Sequence, residues 1–396
     1  MPAAETSQGI SWDRLELPAT PVANLSAYIH IPFCAARCGY CDFNTYTNLH
    51  FGAGASAAVF DQRLVAEMDL LAQHLRLDQP LSTVFFGGGT PTILPATTLV
   101  AIYQALCERF GGVRGEVTTE ANPETVTQED IDTLAAGGFT RISFGMQSAR
   151  QHVLTRLDRK HTPGKVAEVT RWARQAGLDY SLDLIYGTSG ESREDWRISL
   201  ETAISYQPGH ISAYGLTIEP GTAMGAQLRR GQISAPDPDV LADKYELADE
   251  ILNAAGYRWY EVSNWALPGK ESQHNRAYWT NANWWGFGPG AHSHISGVRA
   301  WNIKHPVAYS RALAASNFPI ADWEVLSQRE REEEAIMLGI RLREGIGRPQ
   351  HVPDNVLADL ITDGLIEAKM AREGRICLTR RGRLLADRVI AALWED

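Results

Sequence analysis

Two rhythms of apolar and polar positions alternate over the first 216 residues. Short runs at 26–31, 82–86, 116–121, 141–145, 180–186 and 210–216, most of them rich in β-branched and aromatic residues, read as strands. Between them apolar residues return every three or four positions. Phe60, Leu64, Met68, Leu71 and Leu75 share one helix face, and helical patterns also span 98–110, 127–134, 163–176 and 194–206. Six strands alternating with helices predict an α/β fold with parallel pairing and right-handed crossovers, a partial (β/α)6 barrel. In such sheets ligands collect at the carboxyl ends of the strands, so the residues just after each strand are the candidate site.

The remaining chain divides by composition. Residues 1–25 are polar and contain proline, and are expected to form a flexible arm ahead of a core at 26–220. Residues 221–325 form an aromatic and His-rich extension that completes the core. From 326 to 396 a charged helix at 330–343, apolar turns at 357–361 and 364–366, a short hairpin around 376–379 and a last helix at 382–393 predict a winged-helix-like, α-rich domain. Its basic cluster, Lys369, Arg372, Arg375, Arg380, Arg381 and Arg383, is interrupted by Glu373, with Glu367 just ahead of it. Packing on the barrel is therefore expected in preference to DNA binding.

Chemistry concentrates directly after the first strand. Cys34, Cys38 and Cys41, three of five cysteines, fall within eight residues in the stretch His30-Ile31-Pro32-Phe33-Cys34-Ala35-Ala36-Arg37-Cys38-Gly39-Tyr40-Cys41. A structural zinc needs a fourth sulfur or imidazole at close spacing, and a disulfide uses two thiols and belongs to oxidising compartments. Three thiolates on a four-iron cluster leave one iron open to an outside ligand. Cys107 and Cys377 have apolar neighbours and read as inert core thiols.

The other strand ends carry further candidates. Gly87-Gly88-Gly89-Thr90-Pro91 follows the second strand, Glu120 ends the third, Gln147 follows the fourth, and Asp183 lies in the fifth. Each polar residue alone fits a cap or a buried hydrogen-bond partner equally well. Their common placement with the cysteine loop favours one shared ligand.

The C-x3-C-x2-C loop and these strand-end residues together resemble the radical S-adenosylmethionine (SAM) core of the oxygen-independent coproporphyrinogen oxidase superfamily over residues 26–216. The resemblance implies a [4Fe–4S] cluster on Cys34, Cys38 and Cys41, with SAM contacted by Tyr28, Gly88, Gly89, Thr90, Glu120, Gln147, Arg159 and Asp183. The chain departs from that pattern at Thr188-Ser189, where Leu-Pro is expected. It also departs at Phe43, where the oxidase carries a fourth cysteine, and only 33 residues precede Cys34 where the oxidase has a long extension. The segment 259–305 holds six of the eleven tryptophans and His274, His292, His294 and His305. Within it, His274-Asn275-Arg276-Ala277-Tyr278-Trp279, joined to Cys-x3-Cys-x2-Cys-x-Phe, resembles the HemW-type heme chaperones.

That second resemblance implies heme as a cofactor and apo-hemoprotein acceptors as partners, and leaves both a regulatory and a catalytic role open to the cluster. His274 is the expected axial ligand by residue type; the competing reading makes it a structural histidine beneath an aromatic flap. The alternatives for function are a radical SAM oxidase acting on coproporphyrinogen III, a SAM-dependent methyltransferase, and a DNA-binding redox sensor.

Composition narrows these classes. The net charge of −10 opposes general nucleic-acid binding. There is no apolar run of membrane-spanning length, and the first twenty residues carry Glu5, Asp13, Arg14 and Glu16 without an apolar centre. Neither a membrane span nor a leader is expected, and the chain is placed in the cytoplasm. Nothing in the sequence sets the oligomeric state, which leaves room for a homodimer.

Overall fold

The computed structural model describes residues 9–394 apart from 16, 18–20, 53, 160 and 161. The six expected strands are present as β1 (Ser26–Ile31), β2 (Val84–Gly88), β3 (Val117–Ala121), β4 (Arg141–Gln147), β5 (Asp179–Tyr186) and β6 (His210–Gly215). They pair parallel in sequence order. Helices Phe60–His74, Ala96–Phe110, Gln128–Ala136, Pro163–Gln175 and Arg193–Ser205 supply the crossovers. Phe60, Leu64, Met68 and Leu71 are buried from the first of these, as their spacing requires. Thr127 and Ser192 start two others with reciprocal capping boxes.

The sheet is wider than the periodicity suggested. β7 (Arg258–Glu261) and β8 (Asn264–Ala266) extend it antiparallel beyond β6. On the other side β9 (Trp284–Phe287) joins β1 in parallel, and β10 (His292–Ile295), β11 (Val298–Asn302) and β12 (Ile320–Val325) continue antiparallel. The result is one open twelve-stranded sheet with β12 and β7 at its edges. Several added strands are covered on both faces: β8 is buried throughout, and Tyr260, Trp285 and Phe287 are each about 1% exposed. A strand buried on both sides shows no polar alternation, so its period is hidden.

Of the segment expected as a flexible arm, residues 1–8 lie outside the described residues. The part that is described is docked, which corrects that expectation. Ile10 pairs with Phe318, and Ile10, Leu15 and Val22 are buried in the main core, so a few apolar anchors override the polar composition.

The C-terminal region folds around a separate hydrophobic cluster that includes Ile336, Ile340, Leu360, Leu365, Val389 and Leu393. Ser327 caps helix Gln328–Gly339, β13 (Ile346–Gly347) pairs with β14 (Arg375–Ile376), and the last helical stretch breaks at Leu385 into Arg380–Leu384 and Ala386–Trp394. Two of the basic residues turn inward. Arg383 donates to Asp249 at 3.0 Å, and Arg380 pairs with Asp249 and Glu250 at 3.2 Å each. No helix among the described residues is long and apolar enough to cross a membrane.

Glu67 ties the first crossover helix to the added strands. It is fully buried and accepts from Gly288 N at 2.9 Å, Asn302 Nδ2 at 2.7 Å and the Tyr309 hydroxyl at 2.5 Å. Burial, opposed by those three donors, pushes its carboxyl up to about 7. Glu67→Ala should cost about 3 kcal/mol in denaturant unfolding, because three buried donors lose their acceptor. A carboxyl raised in the folded state adds stability that is full below about pH 4.5 and lost as pH rises through about 7. The gap between wild type and variant should therefore narrow over that window.

Candidate functional site

The cysteine loop leaves the end of β1 and is held in place by backbone bonds. Cys34 N donates to Tyr46 O at 3.0 Å, Tyr46 N to Pro32 O at 2.7 Å, and Cys41 N to Cys38 O at 3.2 Å. The turn after β2 lies against it: Gly89 N donates to Ile31 O and Thr90 N to Phe33 O, both at 2.8 Å. A Cβ on Gly89 would stand 2.5 Å from Phe33 O and 3.0 Å from Cys34 Sγ, and Gly88 sits at φ +108° with the His30 ring 2.5 Å from where its Cβ would be. Only glycines fit this turn. Thr90 Oγ1 approaches Cys34 Sγ at 3.8 Å.

Arg159 joins the loop to β4. Its Nη1 donates to Cys38 Sγ at 3.4 Å and its Nη2 to Gly145 O at 3.0 Å, while Nε is buried with no hydrogen-bond partner. Beside it, Gln147 closes β4 with φ +61°, a backbone conformation that a non-glycine residue rarely holds, at a register shift against β5. Burial pushes the Cys34 thiol up to about 11 and raises Cys41 as well. Cys34 and Cys41 thus hold their protons more tightly than a free thiol, and metal ligation would displace them. Among the described residues no three or more His, Cys, Asp or Glu side chains gather to hold a single metal ion. A four-iron cluster needs no such convergence, because it takes one thiolate at each of three separate irons.

Below this rim lies an interior cavity of about 150 Å³, and Tyr28, Glu120, Asp183, His274, Tyr260 and Tyr278 are among the side chains lining it. Glu120 is pushed up to about 8, first by burial and then by the Asp183 carboxylate. Asp183 is also raised by burial, against the Ser212 and Ser143 hydroxyls that donate to it at 2.8 Å each and the Arg159 charge. Two buried carboxyls short of positive charge suit a cationic or hydroxyl-bearing ligand.

The sequence therefore falls into two groups here. Cys34, Cys38, Cys41, Gly88, Gly89, Thr90, Gln147 and Arg159 form the rim, whereas Tyr28, Glu120, Asp183 and His274 lie in the interior. Ser143 and Ser212 escaped sequence reasoning. Ser212 stands directly opposite Asp183 on the neighbouring strand, a signal available only once register is known. The Thr188-Ser189 departure is absorbed by a buried lock: Glu191 Oε2 accepts from Gly187 N at 2.7 Å and from Lys244 Nζ at 2.6 Å.

His274 is placed unlike an iron ligand. It is about 1% exposed, stacks on Phe85, and has both ring nitrogens engaged, with Thr83 Oγ1 at 2.8 Å from Nδ1 and the Tyr278 hydroxyl at 2.9 Å from Nε2. Thr83 gives its own hydrogen to Ser26, so it accepts from Nδ1, and the Nε2 lone pair is taken by Tyr278. Burial pushes the ring down to about 3, so it stays neutral. His294 is similarly occupied, by Ala282 O and Gly297 N. In contrast, His292 is exposed and stacks on Trp301.

A thiol-bearing loop at the carboxyl edge of a partial parallel barrel defines the class, and the radical SAM superfamily profile matches residues 28–203. Within that superfamily the chain belongs to the HemW heme-chaperone family. It is 44% identical over 387 residues to the heme chaperone HemW of Mycobacterium tuberculosis, covering 96% of this chain and 98% of that protein. Identity to the Bacillus subtilis heme chaperone HemW is 33%, over 93% and 98% of the two chains. Coproporphyrinogen III oxidase (HemN) of Escherichia coli, at 22% identity, shares the fold with a TM-score of 0.80 over 94% of this chain and 91% of that one.

Radical SAM membership implies a [4Fe–4S] cluster and SAM, and the residues fit both. Three thiols stand at one rim, glycines clear the space beside Cys34, and the unpartnered Arg159 Nε and two charge-starved carboxyls remain to be satisfied.

Two outcomes test this geometry. Cys38→Ala should keep the unfolding midpoint within the error of wild type, yet anaerobic reconstitution should fail to load four irons and four sulfides per chain; full loading would contradict three-cysteine ligation. His274→Ala should lower stability by about 2 kcal/mol through unpaired Thr83 and Tyr278, and leave the spectrum of bound heme unchanged.

Proposed function

We propose that this protein is a heme chaperone that binds a [4Fe–4S] cluster, SAM and heme and delivers heme to acceptor hemoproteins in the cytoplasm. Cys34, Cys38 and Cys41 would hold the cluster, with one iron open to the amino and carboxylate groups of SAM. Tyr28, Gly88, Gly89, Thr90, Glu120, Gln147, Arg159 and Asp183 would hold SAM. A bound cluster would supply one-electron chemistry to SAM at this site. The chain's own residues do the positioning. Arg159 offers its unpartnered Nε–H to a carboxylate by a charge-assisted bond, Glu120 and Asp183 accept from an ammonium or ribose hydroxyls, and Gly88 and Gly89 let a ligand approach the backbone.

The observation that carries the chaperone reading over an oxidase is the 44% identity, over nearly the whole of both chains, to the heme chaperone HemW of Mycobacterium tuberculosis. The barrel interior, where Tyr28, Tyr260, His274 and Tyr278 crowd around the two carboxyls, is assigned to SAM. Phe43, at the position of the oxidase's fourth cysteine, is 60% exposed and offers no thiol.

The test is anaerobic incubation of the reconstituted protein with dithionite and SAM, once with coproporphyrinogen III and once with heme and an apo-hemoprotein. Heme should move to the acceptor while coproporphyrinogen III stays intact. Decarboxylation of coproporphyrinogen III would establish the oxidase instead.

A further inference from the structure

With the barrel interior assigned to SAM and both nitrogens of His274 engaged, the macrocycle needs another surface, and one groove has the required chemistry. Along β7 side chains alternate: Tyr260 faces the interior cavity, while Trp259 faces outward and lines a groove of about 610 Å³ between the sheet edge and the C-terminal region. Met370, Cys377, Arg343, Arg375 and Arg383 line it too. It runs on into a second hollow of about 410 Å³ that shares Trp259, Leu378 and Arg383 and adds Val262, Leu384 and Leu385, each 37–39% exposed. This is room for a large flat ligand, with an aliphatic floor from Leu378, Leu384 and Leu385.

We infer that this groove is the heme site, with sulfur from Cys377 or Met370 facing the iron and the arginines, Arg343 foremost, meeting the propionates. The inference rests on the heme-chaperone reading above and adds its location. Heme iron takes thiolate and thioether as well as imidazole among its axial ligands, and His274, whose nitrogens are both engaged, leaves that role open.

The cations differ in availability. Arg343 makes no side-chain hydrogen bond or ion pair among the described residues and is exposed. Arg375 donates to the carbonyls of Glu344 and Gly345, and Arg383 lies 3.8 Å over the Trp259 ring while pairing with Asp249. The Trp259 Nε1 and Arg383 Nε atoms are buried without a hydrogen-bond partner, and Trp259 as a whole is 3% exposed. Unsatisfied donors beside an apolar floor suit a ligand that carries both carboxylates and apolar surface. Of the two carboxylates in the wall, Glu344 is paired with Arg276 at 2.9 Å. That pair connects the groove to the helix Gln273–Trp279, which carries the His-Asn-x-x-Tyr-Trp element. Glu367 is the remaining negative charge. Cys377 Sγ donates to Glu344 O at 3.1 Å, and ligation of ferric iron would release that thiol proton to solvent.

The experiment is hemin titration of the cluster-loaded protein, followed by difference absorbance in the Soret region. Arg343→Glu replaces an exposed side chain and should leave folding and cluster loading intact while weakening hemin binding about tenfold. The double variant Cys377→Ala, Met370→Leu should shift the Soret maximum and the ferrous–carbonyl band. If wild type binds hemin and both variants match it in affinity and spectrum, the groove is refuted and the chaperone reading stands. A wild type that takes up no hemin refutes both.

Discussion

The structure depends on the seam where the chain leaving β1 runs beside the turn leaving β2. Two backbone bonds, Gly89 N to Ile31 O and Thr90 N to Phe33 O, extend the parallel pairing past the ends of the strands. They fix the cysteine loop over the open end of the barrel. The seam closes only because position 89 has no side chain: a methyl group there would meet a carbonyl oxygen and the sulfur of Cys34. Strand register, turn chemistry and thiol placement are thus one constraint, and the Arg159 bridge from Cys38 to Gly145 carries it across to β4.

Electrostatically the site is incomplete as the chain alone builds it. Thiols raised by burial, Glu120 held up to about 8 and a buried guanidinium nitrogen without a partner are costs that a positively charged cluster and a zwitterionic ligand would relieve together. Asp183 differs from Glu120 in having two serine hydroxyls in place, so its orientation is set before any ligand arrives. Elsewhere the same problem is solved internally. Glu191 with Lys244, and Glu116 with Arg141 at 3.0 Å, are buried pairs in which each charge has its counter-charge within the chain.

The six barrel strands were legible because each is a compact apolar run between amphipathic helices, and the rim residues were legible because they follow those strands directly. The outer strands β7 to β12 were not: β7 to β10 are only three or four residues long, and those with both faces buried show no alternation to read. His274 shows the limit of residue type, since imidazole chemistry suggested a metal ligand while Thr83, 191 positions earlier, and Tyr278 decide its role. The groove beside Trp259 was invisible for a related reason. Its walls come from β7, from 343–344 and from 367–383, which only the docking of Arg380 and Arg383 onto Asp249 brings together.

The most direct test of the central claim, that the three-cysteine loop and the strand-end residues form one site with an open iron, is pulsed electron paramagnetic resonance of the reduced, reconstituted protein with SAM labelled with 15N at its amino group. The account predicts a hyperfine coupling between that nitrogen and the cluster. A fully loaded cluster whose spectrum shows no coupling to the labelled nitrogen at saturating SAM would contradict it.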